Sequence, residues 1–456
     1  MRFSELEGAQ IGVWGAGREI RSFAAQLHSR VPSARIVVVA SDDPLSADMS
    51  SADVLEALTA PDARIVSGDD AVTALATCDL VVRSPGVSVH RPELRELSAR
   101  GMPITTATSL WLAEVNGSGV IGITGTKGKS TTATLVAHLA RSAGRTVELA
   151  GNIGVPALDL LDRPSSDLTV VELSSYQIAD MAVGPELAVV TNLHQEHIDW
   201  HGSAESYRSD KLRILSLGGV RATVLNGRDE QLRAVAHEAL APSFYGVPEG
   251  WDVTAEGIAF KGGLVAPIAD VPLRGEHNAL NLCAALTAID ALGIPRPPLP
   301  DALRGITSLP HRLEVVAEHD GVIWVDDSIS TTPESTLAAL ASFPGHEIIL
   351  VGGGQDRDQD YSALGRMLAQ RDAIVLGLPV TGSRLVAAAR QAGMADARAV
   401  EVDDMETAIG LARTFARSGA AVLLSPAAPS YNTYRNFEER ARHFRALIDE
   451  ILGVSG

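Results

Sequence analysis

Short runs of consecutive apolar residues recur along the chain, each ending in Gly, Ser, Asp or Asn and followed by a segment with helical spacing. They include IGVWG (11–15), ARIVVVAS (34–41), DLVVRSPG (79–86), GVIGITG (119–125), LTVVELSS (168–175), LAVVTNL (187–193), ATVLN (222–226), VIWVDD (322–327), EIILVGG (347–353), DAIVLG (372–377) and AAVLLSP (420–426). Apolar strands alternating with helices predict βαβ units and largely parallel sheets, an α/β fold. Ligands of such sheets bind beyond the carboxyl ends of the strands, so the polar tails of these runs are where chemistry is expected. Two breaks divide the pattern: GMPITTATSLWLAEVNGSG (101–119) and the Pro/Gly-rich IPRPPLPDALRGITSLPHR (294–312). They predict domains at 1–105, 106–308 and 309–456, with a more β-like, Gly-broken stretch around 220–275. In NFEERARHFRALIDEIL, helical spacing puts Phe437, Ala441, Phe444, Ile448 and Leu452 on one face, expected to be core.

The 456 residues suit about three domains of ~150 residues. A formal net charge of −18 argues against nucleic-acid or anionic-membrane partners, though a local pocket can still be positive. The two cysteines, Cys78 and Cys283, make no disulfide framework or metal-type spacing, which points to a reducing cytoplasm. The N-terminus lacks a basic and then apolar leader, and no run approaches ~18 apolar residues. A soluble cytoplasmic protein with no membrane partner is expected.

GVIGITGTKGKSTTATLVAHLA (119–140) reads as a strand, a Gly-rich turn and a helix starting near Lys129. Gly122, Gly125 and Gly128 let the backbone wrap phosphates, and the helix N-terminus adds a positive dipole. Lys129 is placed for β- and γ-phosphates, and Ser130 or Thr131 for Mg²⁺. Ile123 stands where the general P-loop pattern has Gly, so the match is to a variant, GxxGTxGKST. The bland reading is a turn of no function. In VWGAGREIRSF (13–23), Ile20 replaces the third Gly of a dinucleotide fingerprint; a phosphate contact and a simple tight turn both stay open, and NAD binding is unsupported. Glu172 and His197 end two apolar runs and could hold Mg²⁺ beside the P-loop. Alone, Glu172 would be read as structural, and Lys211 as a surface lysine. Asn278 and Asn281, three apart at a helix start, could be caps. His311 and Arg312 could form an interdomain salt bridge.

Taken together, GITGTKGKST, GNIG (151–154), ELSSYQ, EHIDWH, YRSDKLRI, HNALN, LPHR, VDDS and LSPAAPSYNTYRNFEERARHF (424–444) resemble the Mur ligases. These are ATP-dependent amino-acid ligases that build the peptidoglycan stem peptide. The stretches run in family order from first strand to last helix. They are nearest the members that add glutamate to UDP-N-acetylmuramoyl-L-alanine. The resemblance implies a Rossmann-like UDP-binding domain, a central P-loop ATPase domain and a C-terminal Rossmann-like domain, acting as a monomer. It implies UDP-substrate contacts from Gly17, Arg18, Ser84, Gly86, Asn152, Ser174 and Gln177. ATP would meet Gly125, Thr126, Lys127, Gly128, Lys129, Ser130 and Thr131, with Asn278, Asn281, Arg312 and Asp327. Ser130 and Glu172 would hold one Mg²⁺. A second would sit on His197 and Lys211, which the family carbamylates. Thr331, Arg357, Ser430 and Phe437 would line the amino-acid pocket. ATP would convert the alanine carboxylate to an acyl phosphate for attack by the glutamate amine.

The chain departs from the family at VDDSISTTPES (325–335). The ordinary D-glutamate-adding members carry a DSKAT-type motif whose Lys contacts the D-glutamate carboxylate; in this chain that position is Ile329. An isoleucine cannot donate, and a lost charge-assisted hydrogen bond is worth ~1.5–3 kcal/mol. Arg357 stands about where another substrate lysine falls, and Tyr431 replaces a Leu. The departures confine themselves to the amino-acid pocket, which favours a branch that adds L-glutamate and relies on a separate glutamate epimerase. The alternative is that Arg357 substitutes and D-glutamate is still taken. Folylpolyglutamate synthase shares the GTxGKST variant but lacks the ~100-residue N-terminal domain. An inactive ATP-binding module or a P-loop switch is a further rival, opposed by Lys129, Glu172, His197 and Lys211 all being present.

Overall fold

The apolar runs become strands, and the alternation along each strand decides which face it packs. The computed structural model describes residues 1–41, 51–68, 70–194, 196–307 and 309–453, without the side chains of 51–53; Ser308, at the expected second boundary, lies outside them. By internal contacts the chain divides into two units: residues 1–270 with 280–305, and residues 271–279 with 306–456.

The first unit holds three sheets. One is parallel, in the order Arg64–Ser67, Arg35–Ser41, Gln10–Trp14, Leu80–Arg83 and Ile104–Thr105. Ile11, Val13 and Val82 enter one core cluster while Trp14 and Val81 enter another, the period-2 split of a sheet covered on both faces. The strand order reverses between Gln10–Trp14 and Leu80–Arg83, which is the switch point where open α/β sheets bind ligands. The turns that follow those two strands carry Gly17–Arg18 and Ser84–Gly86. They approach so closely that a Cβ on Gly15, at φ +92°, would lie 2.8 Å from the Ser84 Cβ.

The second sheet is also parallel: Pro242–Tyr245, Ala222–Asn226, Leu187–Val190, Val120–Thr124, Leu168–Glu172 and Val147–Gly151. Val120–Thr124, the strand leading into the Gly-rich turn, is flanked by the strands ending at Glu172 and Val190. The Gly-broken stretch folds as a small antiparallel meander, Trp251–Val253, Gly257–Phe260 and Gly263–Pro267.

The second unit carries a six-stranded sheet, in the order Glu314–His319, Val322–Asp326, Ala420–Leu424, Glu347–Gly352, Ile374–Gly377 and Ala399–Glu401. Only Glu314–His319 pairs antiparallel. Ile323, Val325, Leu350 and Leu423 pack one face; Trp324, Ile349, Val351 and Val422 pack the other. The last helix, Phe437–Leu452, buries Ala441, Phe444 and Ile448, while Phe437 and Leu452 at its ends are half-buried. No helix among the described residues is long and apolar enough to cross a membrane.

Candidate active site

The Gly-rich turn leaves the central strand at Thr124 and becomes the helix Lys129–Ser142, with Gly128 as its N-cap at φ +82°. Gly125 has φ +143°, and a Cβ there would lie 1.9 Å from the Thr191 Oγ1. The turn is held from the neighbouring strand end. Asn192 Oδ1 accepts from the Thr126 and Lys127 amides at 3.1 and 2.8 Å, and Thr191 Oγ1 donates to the Lys127 carbonyl at 2.6 Å. Thr126 Oγ1 lies 2.7 Å from the Tyr207 hydroxyl. None of Thr191, Asn192 and Tyr207 was singled out from the sequence. The signal available for the first two was their place directly after an apolar run.

Four of the expected residues meet around this turn. Ser130 Oγ donates to Glu172 at 2.6 Å, Lys129 Nζ donates to the Thr126 carbonyl at 3.0 Å, and Lys211 Nζ donates to the Gly125 carbonyl at 2.7 Å. Lys211 is buried, at the end of the helix Ala204–Leu212. Desolvation, reinforced by the nearby Lys129 ammonium, pulls its pKa down to about 7. His197 caps the short helix Ile198–His201 in the left-handed region at φ 57°. Burial holds its pKa below the usual range, opposed by Glu196 and aided by Lys211 and Lys129. Lys127 Nζ pairs with Glu196 at 2.5 Å. Thr131 is buried in the first helical turn, and Asn281 Oδ1 accepts from Thr132 Oγ1 at 3.3 Å, beside Gly128.

Of the residues expected at the UDP substrate, Gly17 is the N-cap of the helix Arg18–Arg30. Arg18 Nη2 donates to the Gly151 carbonyl at 2.7 Å and the Asn152 carbonyl at 3.5 Å, tying the first parallel sheet's turn to the GNIG segment. The turn holding Ser84 and Gly86 is fixed by Trp200 Nε1, which donates to the carbonyls of Pro85 and Gly86 at 3.1 and 3.0 Å. Arg83, wholly buried, makes a two-pronged pair with Asp180 at 2.7 Å on each prong. Ser174 and Gln177 form a capping box for the helix Ser175–Ile178.

Gln177, also expected at the UDP substrate, has its side chain engaged within the protein. It is fully buried; its Oε1 accepts from Ser174, and its Nε2 donates to Glu19 at 2.7 Å and Thr108 at 3.0 Å. With both donors and its acceptor engaged, it sets Ser174 in place. Burial is also the main force raising the Glu19 pKa.

In the second unit, the strand ends at Asp326, Gly352 and Leu424 lead into three loops knitted by backbone bonds. Ala427 N donates to Ser330 O at 3.0 Å, and Gln355 N donates to Pro429 O at 2.8 Å. Thr331 is half-buried with its carbonyl accepting from Gln359 Nε2 at 2.8 Å; Ser430 is buried, and Arg357 is exposed. The Phe437 ring lies edge-on to His311 at 5.8 Å. Asp327 is buried, accepting from Ser425 Oγ at 2.7 Å and from the Leu313 amide at 3.2 Å, and desolvation lifts its pKa to about 6. Arg312 adds an opposing positive field there. Asp327 thus anchors its own loops, whatever it offers a ligand. His311 pairs with Asp326 at 2.8 Å inside this unit. Asn278 donates to the Arg274 carbonyl at 2.7 Å and groups with the second unit, while Asn281 on the same helix groups with the first. The half-buried Ile329 sits in the middle of this loop set and offers no side-chain donor.

A P-loop on a parallel sheet, with Lys129, a Ser130–Glu172 pair and a buried lysine of lowered pKa around one turn, has the makings of a nucleotide-dependent phosphoryl-transfer site. The chain matches the Mur ligase middle domain over residues 123–289 and the glutamate ligase domain of Mur ligases over 311–428. A Micromonospora protein named UDP-N-acetylmuramoyl-L-alanine–L-glutamate ligase is 39% identical, with 99% of each chain covered. A protein of the same name from Xanthomonas axonopodis pv. citri is 39% identical over 98% of this chain and 96% of its own. Among solved structures, a MurF ligase from Thermotoga maritima in complex with ADP superposes with a TM-score of 0.58 at 19% identity, over 98% and 97% of the two chains. The chain belongs to the Mur ligase family.

Proposed function

We propose that this chain joins L-glutamate to the alanine carboxylate of UDP-N-acetylmuramoyl-L-alanine, with ATP cleaved to ADP and phosphate, in the cytoplasmic stage of peptidoglycan precursor synthesis. The observation that carries the reaction type is the grouping of Lys129, Ser130, Glu172 and Lys211 around one Gly-rich turn. The names of its relatives support the substrates, and Ile329 supports the isomer.

A carboxylate is a poor acyl donor because its leaving group would be oxide. A carboxylate oxygen of the alanine therefore attacks the γ-phosphorus, and the bond to the β-bridging oxygen breaks to release ADP. The glutamate amine then attacks the acyl carbon; the carbon–oxygen bond to phosphate breaks, and the amine's proton goes to solvent. The Lys129 ammonium and the turn amides stabilise the charge that spreads over the transferring phosphoryl oxygens. The paired oxygens of Ser130 and Glu172 form the hard donor set that Mg²⁺ takes, and an ion there would supply further neutralisation of phosphate charge.

Lys211 is read as the carbamylated lysine of the site. Its depressed pKa keeps a large share of neutral amine at pH 7, the form that attacks carbon dioxide. The new N–C bond makes a carbamate, the amine's proton passes to solvent, and the neutral amine becomes an anionic group that, with His197, would offer an oxygen to a second Mg²⁺. Thr331 and Ser430 are read as contacts of the incoming amino acid. Without a lysine at position 329, the fixed cation that would hold D-glutamate's carboxylate in that place is missing. A separate glutamate epimerase acting on the product would then supply the D-configured residue.

Phosphate release with ATP, Mg²⁺ and UDP-N-acetylmuramoyl-L-alanine, compared between L- and D-glutamate, tests this. Release with L-glutamate alone is expected. Release with D-glutamate alone would overturn the isomer, and no amino-acid-dependent release with either would overturn the ligase reading.

A further inference from the structure

Next to Lys211 the first unit contains a hydrogen-bonded chain of side chains that take no direct part in the acyl-phosphate chemistry. Ser175 Oγ lies 2.9 Å from His201 Nε2, and His201 Nδ1 lies 2.7 Å from Asp210 Oδ2. His90 Nε2 reaches the same Asp210 oxygen at 2.5 Å, and Arg95 Nη2 lies 3.3 Å from His90 Nδ1. Ser175, His201 and Asp210 are buried, His90 is half-buried and Arg95 is exposed.

Counting donors orients the outer bonds of this chain. A guanidinium only donates, so His90 Nδ1 accepts from Arg95 and its Nε2 carries the hydrogen given to Asp210. The carboxylate also takes the Nδ1 hydrogen of His201, whose Nε2 shares a hydrogen bond with the Ser175 hydroxyl, a group that both donates and accepts. The three inner atoms lie within 4.8 Å of one another, a grouping that could also suggest a zinc site. Arg95 decides against it. A zinc-binding Nε2 needs its lone pair, which moves the His90 hydrogen to Nδ1, against a guanidinium that cannot accept it.

The place of each member in the sequence shows what the chain of bonds can do. Ser175 follows Ser174, His201 closes the short helix capped by His197, and Asp210 precedes Lys211. His90 brings in the segment beyond Ser84–Gly86, whose Ser88 Oγ donates to the Trp200 carbonyl at 2.5 Å. Trp200 itself stacks on Tyr176 at 4.5 Å between ring centroids. Three segments carrying proposed site residues are thus tied to one carboxylate oxygen. We propose that Ser175, His201, Asp210 and His90 form a positioning network that holds Ser174, His197 and Lys211 in register for phosphoryl transfer. This inference rests on reading His197 and Lys211 as part of the reacting site.

Asp210→Asn tests it, because an amide keeps the volume but replaces the anionic oxygen that both imidazoles reach with a neutral, weaker acceptor, or with a donor if the amide turns over. A small misplacement of reacting groups should lower kcat by about 10- to 100-fold. The Mg²⁺ concentration needed for half-maximal rate should rise, while the KM for glutamate stays unchanged because Thr331 and Ser430 belong to the second unit. His201→Asn, which keeps a donor toward Asp210, should retain more turnover than His201→Phe. Ser175→Ala, a small change at the end of the network, should show a milder loss of the same kind and decides the matter if the Asp210 variant does not fold. The proposal is overturned if these variants keep wild-type kcat and Mg²⁺ requirement. It is equally overturned if the losses fall on every KM alike and track a lowered Tm. Lys211→Ala is run alongside: an active Lys211→Ala means the site reading has failed, whereas an inactive one beside a normal Asp210→Asn means only the network has.

Discussion

At the scale of single residues, Lys211 combines a stability penalty with a chemical use. Its folded pKa of about 7 lies below the 10.5 of an unperturbed lysine, so between those values the unfolded chain binds a proton that the native one lacks. That part of the folding free energy therefore weakens as pH falls from above 10 toward 7, and levels off below 7. Lys211→Met removes the buried amine. In CO₂-depleted buffer at pH 7 it should raise Tm, by about 1–2 °C for each kcal/mol regained in a chain of this size. It should also abolish phosphate release; a variant that lost Tm, or kept its turnover, would remove Lys211 from the reacting site. Lys129→Ala should likewise leave no measurable ligation, and a near-normal rate would sink the ATP-site assignment. Lys129, Ser130 and Glu172 could be read from sequence because one strand, turn and helix place the first two, and Glu172 simply ends the adjacent strand. Gln177 could not be read in the same way. Its partners Glu19 and Thr108 stand 158 and 69 positions away, so its burial is a property of the tertiary fold.

At the scale of elements, the βα pattern made the parallel sheets predictable, since continuous apolar runs rule out a half-solvated antiparallel sheet. The strand order could not be read from it. Order decides that Thr191 and Asn192 abut the Gly-rich turn, because Leu187–Val190 pairs directly beside Val120–Thr124. The turn therefore depends on a neighbour that sits 65 positions from Lys127. Gly125→Ala should break this arrangement twice over, by strain at φ +143° and by a Cβ driven into Thr191. Phosphate release should fall at least as far as in Lys129→Ala, with nucleotide binding lost in calorimetry; retained binding would show that the turn can relax. Helix ends allow a milder test. Asn436 Oδ1 accepts from the Glu439 amide at 2.9 Å and caps the last helix. Asn436→Ala should cost about 1 kcal/mol in denaturant unfolding, and no change would mean the cap is replaced by solvent.

At the scale of the whole molecule, the proposed chemistry divides between the two units: the phosphoryl-transfer groups lie in the first, and Ile329, Thr331 and Ser430 lie in the second. An acidic chain of net charge −18 can still handle anionic substrates, because Lys129 and the helix N-terminus at the Gly-rich turn make a local positive site. This division makes the choice of amino acid separable from the use of ATP. Ile329 is half-buried, its amide donates to the His311 carbonyl at 3.3 Å, and both that bond and the loop's backbone bonds are independent of its side chain. Ile329→Lys should therefore fold and should add one ammonium to the pocket loops. If the missing cation is what disfavours D-glutamate, the D-to-L ratio of kcat/KM should rise by about 10- to 100-fold, the worth of one charge-assisted hydrogen bond. The KM for ATP and the Lys211-dependent step should not move. A ratio that stays put while both isomers lose rate would mean that the loop's backbone, and not residue 329, selects the isomer. A ratio that shifts together with the KM for ATP would mean that the two functions are not separable in the way the division of residues implies.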